Sequence, residues 1–245
     1  LDVIICHKNE GRIYQLLRSA GLIHTRNDAI KLLKEGNVII NGKPVHNPEF
    51  QVNPKKEIIL VNNQPITPIP KKYFLLNKPK GYLTSKKRRK NVMELIHCDK
   101  TLKNTLFPIG RLDVNTTGLL LITNDGELAH AILQPKNKME KEYIVTIKEK
   151  LKDNIQKLET GITIMVNNKP YKTLPAKVNR TDESTFSITI TEGKKRQVRL
   201  MVAALGYTLL SLKRIRIGSL GLGTLAEGNI KELNEKEIKG AFSVP

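Results

Sequence analysis

One acid stands alone in the most chemically suggestive stretch of the chain. Gly110-Arg111-Leu112-Asp113-Val114-Asn115-Thr116-Thr117-Gly118 carries a single carboxylate among small and polar residues. Glycines at both ends favour a sharply folded loop. By itself an Asp in a loop reads as a turn or cap residue. Its surroundings argue for more. Residues 71–90 hold nine Lys/Arg and no acid, and Glu192-Gly193-Lys194-Lys195-Arg196-Gln197-Val198-Arg199 is basic again. A carboxylate in a groove made for a polyanion is electrostatically out of place unless it acts on the ligand or pairs with a fixed cation. Such a group can be a nucleophile or take up a proton.

The elements around this loop are legible. Leu119-Leu120-Leu121-Ile122-Thr123 is an apolar run of strand length, and Asn124-Asp125-Gly126 can start a helix over 127–133. Val198, Met201, Val202 and Leu205 form a helical stripe that Gly206 ends. Arg196 and Arg199, three apart, project beside that stripe. A half-buried arginine there needs an acid partner. If Arg199 meets Asp113, the carboxylate is held in place and stays ionised. Tyr143 falls on an alternating strand, Lys141–Lys148, where spacing alone makes it a core residue.

Lys+Arg number 42 and Asp+Glu 23, a net charge of +19 in 245 residues. Self-repulsion of that size makes a polyanionic partner, nucleic acid above all, the economical explanation. Residues 1–62 carry nine basic and six acidic side chains, so +16 of the surplus follows them. A 39% apolar share supports a buried core and argues against a disordered or disulfide-scaffold protein. No apolar run approaches membrane-spanning length, and no basic amphipathic helix favours a membrane surface. The first segment, LDVIICHKNE, lacks the pattern of a signal peptide. Aromatics are only 4%, with no Trp, which counts against a base-stacking platform. Cys6 and Cys98 lack CxxC spacing and fit a reducing cytoplasm.

Residues 1–62 read as a small module, 63–71 as a linker with Pro65, Pro68 and Pro70, and 72–245 as the larger domain. In the module, Ile13, Leu16, Leu17 and Ala20 mark one helix, ended by Gly21. Ala29, Ile30, Leu32 and Leu33 mark a second, capped by Asp28 or Asn27. Val38-Ile39-Ile40 leads into the tight-turn pair Asn41-Gly42, with return strands from Val45 and at Ile58–Val61. This pattern, from Arg12-Ile13 through Leu16-Leu17, Ala20-Gly21-Leu22, Arg26, Ala29, Leu33 and Gly36 to Ile40-Asn41-Gly42, resembles the S4 RNA-binding domain. Family members carry paired arginines where this chain has Arg26 alone, so Arg26 is the RNA contact this resemblance implies.

The Lys78-Pro79-Lys80-Gly81 turn and the Arg-Leu-Asp-x-x-Thr-x-Gly-Leu-Leu-Leu-x-Thr-Asn-x-Gly run resemble RNA pseudouridine synthases. The nearest branch carries an S4 domain and acts on single uridines of ribosomal RNA. Lys141-Glu142-Tyr143-Ile144-Val145, the 192–199 segment and Leu212-Lys213-Arg214-Ile215-Arg216-Ile217-Gly218 continue the match. The resemblance implies that Asp113 is the catalytic aspartate, that Tyr143 packs against the target base and that Arg199 pairs with Asp113. It implies that Arg111 helps hold the RNA once the target nucleotide has left the stack. Lys78, Lys80, Arg88, Arg89, Lys195 and Arg196 complete the expected RNA contacts. Leu200 departs from the family, where a second arginine is common.

The expected fold class is α+β: an S4-type module followed by a mixed, mainly antiparallel sheet flanked by helices. Phe186-Ser187-Ile188-Thr189-Ile190-Thr191 alternates as a half-covered strand would, leaving an open face as the floor of an RNA groove. The implied reaction breaks a C1′–N1 bond and makes a C1′–C5 bond with the same uracil. It needs no small-molecule cofactor and no metal. There is no P-loop, and His7, His24, His46, His97 and His130 show no ligand spacing. The carboxylate can act as a nucleophile or remove a sugar proton. Ribosomal RNA is the expected partner and a cytoplasmic monomer the expected form. Transfer RNA as substrate, or a non-catalytic S4-type ribosome-binding factor, are the alternatives.

Overall fold

The computed structural model describes residues 11–23, 25–85 and 90–242. They fall into two compact units, and the division is not a single cut in the chain. One unit takes the described residues up to Lys72 together with Ile96–Phe107; the other takes Tyr73–Leu95 and the chain from Pro108 onward.

In the first unit, helices α1 (Ile13–Ser19) and α2 (Arg26–Lys34) bury their apolar stripes, leaving no exposed surface on Ile13, Leu17, Ala29 or Leu33. Gly21, at φ +74°, turns the chain out of α1. The cap of α2 is Thr25, not Asp28 or Asn27. The Thr25 hydroxyl accepts from the Asp28 N–H at 3.2 Å, and the Asp28 carboxylate accepts from the Thr25 N–H at 2.7 Å. An acid at the third helical position is where a side chain can reach back to the cap, so Asp28 completes the capping box rather than opening it.

Strands β1 (Val38–Ile40) and β2 (Ile59–Val61) pair antiparallel, with Lys43–Pro44 and Gln64–Pro65 on the outer edges. Both prolines sit where a missing N–H interrupts no inner ladder. Asn41 and Gly42 take the left-handed backbone of a tight turn, φ +49° and +81°. The stretch beyond stays attached: Ile66 N–H donates to Ile59 O and Ile69 N–H to Ser19 O. Helix α3 (Lys100–Thr105), capped by Asp99, belongs to the same unit, and Arg18 lies over the Phe107 ring at 5.6 Å.

The second unit is built on one twisted sheet. Its main strands are β3 (Tyr73–Lys78), β4 (Thr117–Thr123), β5 (Lys141–Ile147), β6 (Lys177–Arg180), β7 (Thr185–Ile190), β8 (Leu209–Ile217) and β9 (Ile230–Leu233). They lie in the order β6-β7-β5-β8-β4-β3-β9. Every pairing on that path is antiparallel except β8 with β4. Helices α4 (Gly126–Leu133), α5 (Gln197–Ala204) and α6 (Glu235–Phe242) complete the unit. The fold is α+β. Leu119 to Ile122 are fully buried, as an apolar run without alternation requires of a strand covered on both faces. Asp125 caps α4: its Oδ1 accepts from Glu127 and Leu128 N–H, and its Oδ2 accepts the Tyr73 hydroxyl at 2.9 Å.

The alternation in β7 does not leave a wet face there. Ser187 and Thr189 are each 8% exposed. Thr189 stands in one cross-strand row with Lys177, Glu142 and Arg216. Those long side chains are tied together, Lys177 and Arg216 to Glu140 at 2.8 and 3.1 Å and Arg216 to Glu142 at 2.7 Å. Their stems cover the short threonine between them. A period-2 pattern records which residues are polar, not whether longer neighbours close over them.

Candidate active site

The site grows from the opposite face of the same sheet. Register places Val178, Ile188, Tyr143, Arg214, Gly118 and Lys78 in one row across six strands. A register shift between Glu142 and Tyr143 in the β5–β8 pairing makes Tyr143 face Arg214 while Glu142 faces Arg216. Two arginines at strand spacing therefore serve opposite faces. Tyr143 is 8% exposed and Arg214 3%.

Gly118 decides how closely β8 can approach. It sits at φ +101°, and a Cβ there would lie 2.1 Å from the carbonyl oxygen of Arg214. Only glycine meets both demands. The chain then leaves β4 backwards into the loop that holds Asp113.

That loop is clamped by its backbone. Thr116 N–H donates to Asp113 O, closing a turn. Before Asp113, the Thr84 hydroxyl donates to Leu112 O at 2.9 Å and accepts from Leu112 N–H. After it, Gly81 N–H donates to Val114 O. The Lys78 ammonium donates to Thr116 O at 2.9 Å, Val114 O at 3.3 Å and Pro79 O at 2.9 Å. Arg199 on α5 adds Nη2 bonds to Asn115 O at 2.8 Å and Thr116 Oγ1 at 2.9 Å. Its Nε lies 3.4 Å from Asp113 Oδ2 without aligning on it, so the contact is an ion pair rather than a hydrogen bond. Burial lowers the Arg199 guanidinium from its ordinary value, Asp113 opposes that, and Arg196 adds to it. The Asp113 side chain keeps 38% of its surface while that of Arg199 keeps 16%. The acid is fixed and still reachable.

The structure thus brings Asp113 and Arg199 together and sets Tyr143 in the cross-strand row with Arg214 and Gly118. It moves Lys78 out of the expected RNA contacts: the side chain is fully buried and its ammonium is taken up by three carbonyls, so no phosphate reaches it. Arg111, Lys80, Lys195 and Arg196 are exposed. Arg26, in the other unit, is also exposed but paired with Glu49 at 2.8 Å. Arg88 and Arg89 lie outside the described residues. Thr84 and the positioning role of Lys78 are missed by the sequence. Nothing local to Thr84 signals a clamp 28 residues away, and the basic run around Lys78 masked a buried lysine as one more surface charge.

Burial pushes the Lys78 ammonium down to about 8, against the attraction of Glu227 and Asp113. The ordinary lysine value is 10.5, so between pH 8 and 10.5 the unfolded chain binds the extra proton. This group's contribution to stability therefore rises with pH across that window. Lys78→Met is expected to abolish that rise in the urea midpoint. By letting the Asp113 turn shift, it is expected to cut turnover by about 10²-fold. An unchanged pH dependence and unchanged turnover would contradict both.

Comparison with known proteins gives the site its context. Residues 72–204 match the family described as RNA pseudouridylate synthase, and residues 11–58 match the S4 domain. An uncharacterized RNA pseudouridine synthase of Aquifex aeolicus is 37% identical over 238 residues, 95% of this chain and 94% of that one. Ribosomal large subunit pseudouridine synthase B of Bacillus subtilis is 35% identical over 218 residues, covering 86% and 87%. Ribosomal small subunit pseudouridine synthase A of Haemophilus influenzae is 36% identical over 200 residues, covering 81% and 85%. A crystal structure of a pseudouridylate synthase superposes with TM-score 0.66 at 34% identity, covering 93% of this chain and 98% of that one. An S4 domain followed by an RNA pseudouridylate synthase domain defines an enzyme that modifies RNA. The chain belongs to the RNA pseudouridine synthase family.

Proposed function

We propose that this enzyme isomerises a specific uridine of ribosomal RNA in the cytoplasm, with Asp113 as the catalytic carboxylate. One observation carries the reading. Asp113 is the acid whose turn is clamped on both sides, ion-paired to a half-buried arginine, and yet open to a ligand. The relatives named for both ribosomal subunits support ribosomal RNA as the substrate.

The target nucleotide leaves its stack and enters the site, at a cost of a few kcal/mol that backbone binding offsets. The C1′–N1 bond breaks, the base turns, and a C1′–C5 bond forms. C5 gives up its proton and N1 gains one, so substrate and product have the same formula. Asp113 either attacks the nucleotide or removes a sugar proton to allow the cleavage. Tyr143 packs against the base. Arg111 holds the RNA where the nucleotide has left, and Lys80, Arg88, Arg89, Lys195 and Arg196 hold phosphates. Arg26 extends the contact from the S4 unit once it exchanges Glu49 for a phosphate.

Arg199→Ala is expected to lower turnover by about 10²-fold, because the pair and two loop bonds vanish together. Arg199→Lys should recover part of the loss, the charge without the fork. Equal activity in all three proteins would remove Arg199 from the site. The function itself is tested by mapping pseudouridine in cells with and without the gene for this chain. Loss of one ribosomal position is expected. Loss confined to transfer RNA would overturn the substrate assignment, and no loss would overturn the function.

A further inference from the structure

Among the described residues Arg214 is a buried cation without an anion. It is 3% exposed. Its Nε donates to Leu119 O at 2.8 Å, while its Nη2 is buried and without an acceptor. Among the described residues no carboxylate pairs with it. Arg216, two residues further along the same strand, has Glu142, Glu140 and the Gly218 carbonyl. The fold supplies carboxylates for one arginine on β8 and, among the described residues, only the Leu119 carbonyl for Arg214. Lys141 adds like charge: its ammonium is lowered by burial and then by Arg214 itself. An unpaired donor on a buried guanidinium is costly in a finished protein. It is useful where a ligand completes it.

The position says which ligand. Arg214 stands between Tyr143 and Gly118 in the row that ends at Lys78, whose ammonium holds the Asp113 turn. On the uridine-isomerising reading this row is where the base would enter, whereas phosphates would meet the exposed Arg111, Lys80, Lys195 and Arg196. Uracil presents two carbonyl oxygens, which only accept hydrogen bonds and so match a guanidinium, which only donates. The match improves during reaction. When the C1′–N1 electron pair leaves with the base, negative charge spreads onto those oxygens, and a donor already in place stabilises it there.

We propose that Arg214 receives the target base, its free Nη2 donating to O2 or O4 of the uracil. The inference rests on the uridine-isomerising reading above and adds to it a residue that recognises the base and stabilises it as it departs.

The test couples a protein change to a substrate change. Single-turnover rates are measured with the full-length enzyme on ribosomal RNA fragments whose target position carries uridine, 2-thiouridine or 4-thiouridine. Sulfur accepts hydrogen bonds poorly, so one of the two thio-substitutions is expected to slow the wild-type enzyme by at least ~10-fold. Arg214→Met, which keeps the length of the side chain, should be slow on uridine and show no further loss on that same substrate. Arg214→Gln repeats the measurement should the methionine variant melt early. If neither substitution slows the wild type, or both slow wild type and variant alike, the proposal is overturned. It is also overturned if the variant loses sensitivity to a phosphorothioate at the target nucleotide instead, since the partner would then be a phosphate. Wild-type turnover on uridine separates these outcomes from a failure of the functional reading, which would leave no rate on any fragment.

Discussion

Asp113→Asn is expected to lower uridine isomerisation by roughly 10⁴-fold or more, about 5.5 kcal/mol of barrier. The change is nearly isosteric. The turn around residue 113 is held by Thr84, Lys78, Gly81 and Arg199 through backbone atoms and the Thr116 hydroxyl, none of which involves the carboxylate. The loop should therefore keep its shape while losing the one group able to attack or to take a proton. RNA affinity should hold within about tenfold or rise slightly, because a negative charge has been removed from a polyanion site. Turnover is read from pseudouridine formed in a ribosomal RNA fragment and affinity from filter binding of the same fragment. A variant that still turns over would show that another residue does the chemistry. One that loses binding and melting temperature together would show that the carboxylate is structural.

Gly118→Ala is expected to produce a large loss of stability in the second unit. The new Cβ would lie 2.1 Å from the Arg214 carbonyl oxygen, on a backbone at φ +101° that an alanine rarely adopts. Neither strand can yield cheaply. Leu119 to Ile122 are fully buried beyond the glycine, and Arg214 is held to Leu119 O. Overpacking with backbone strain costs about 4 kcal/mol, near 10 °C in melting temperature for a protein of this size. Gly126→Ala is the control, since a Cβ there meets nothing within 4 Å and the residue opens α4. It should melt within about 2 °C of the wild type. If Gly118→Ala melts as the control does, the parallel pairing of β4 and β8 does not depend on close approach at this point.

The two substitutions act on different levels of the same arrangement. On the proposed reading Asp113 supplies chemistry, and its loss should leave the fold intact. Gly118 supplies no atom to the reaction, but the parallel step it permits puts β8 beside the strand from which the Asp113 loop issues. Through that step the third and fourth segments singled out by the sequence, α5 with Arg199 and β8 with Arg214, reach an aspartate some eighty to one hundred residues earlier. Loss of Gly118 should therefore remove activity together with stability, whereas loss of Asp113 should remove activity alone.

Much of this protein was readable in one dimension. The sequence alone determined the class of partner, because a +19 surplus is a sum over residues and needs no fold. It determined the out-of-place acid, because one carboxylate in a basic stretch is a local pattern. It also marked β4, α4, α5 and the two helices of the S4 unit, whose apolar periods are intrinsic to the chain. What it could not determine were relations between residues far apart. Lys78 looked like surface charge within a basic run, and only the tertiary structure turns it inward onto the Asp113 turn. Thr189 looked wet until long ion-paired neighbours closed over it. Arg214 and Arg216 stand at strand spacing, and a one-residue register shift sends them to opposite faces. Periodicity and charge belong to single segments, whereas burial, pairing and register are set by which strands meet, and that was decided only when β4 and β8 closed on Gly118.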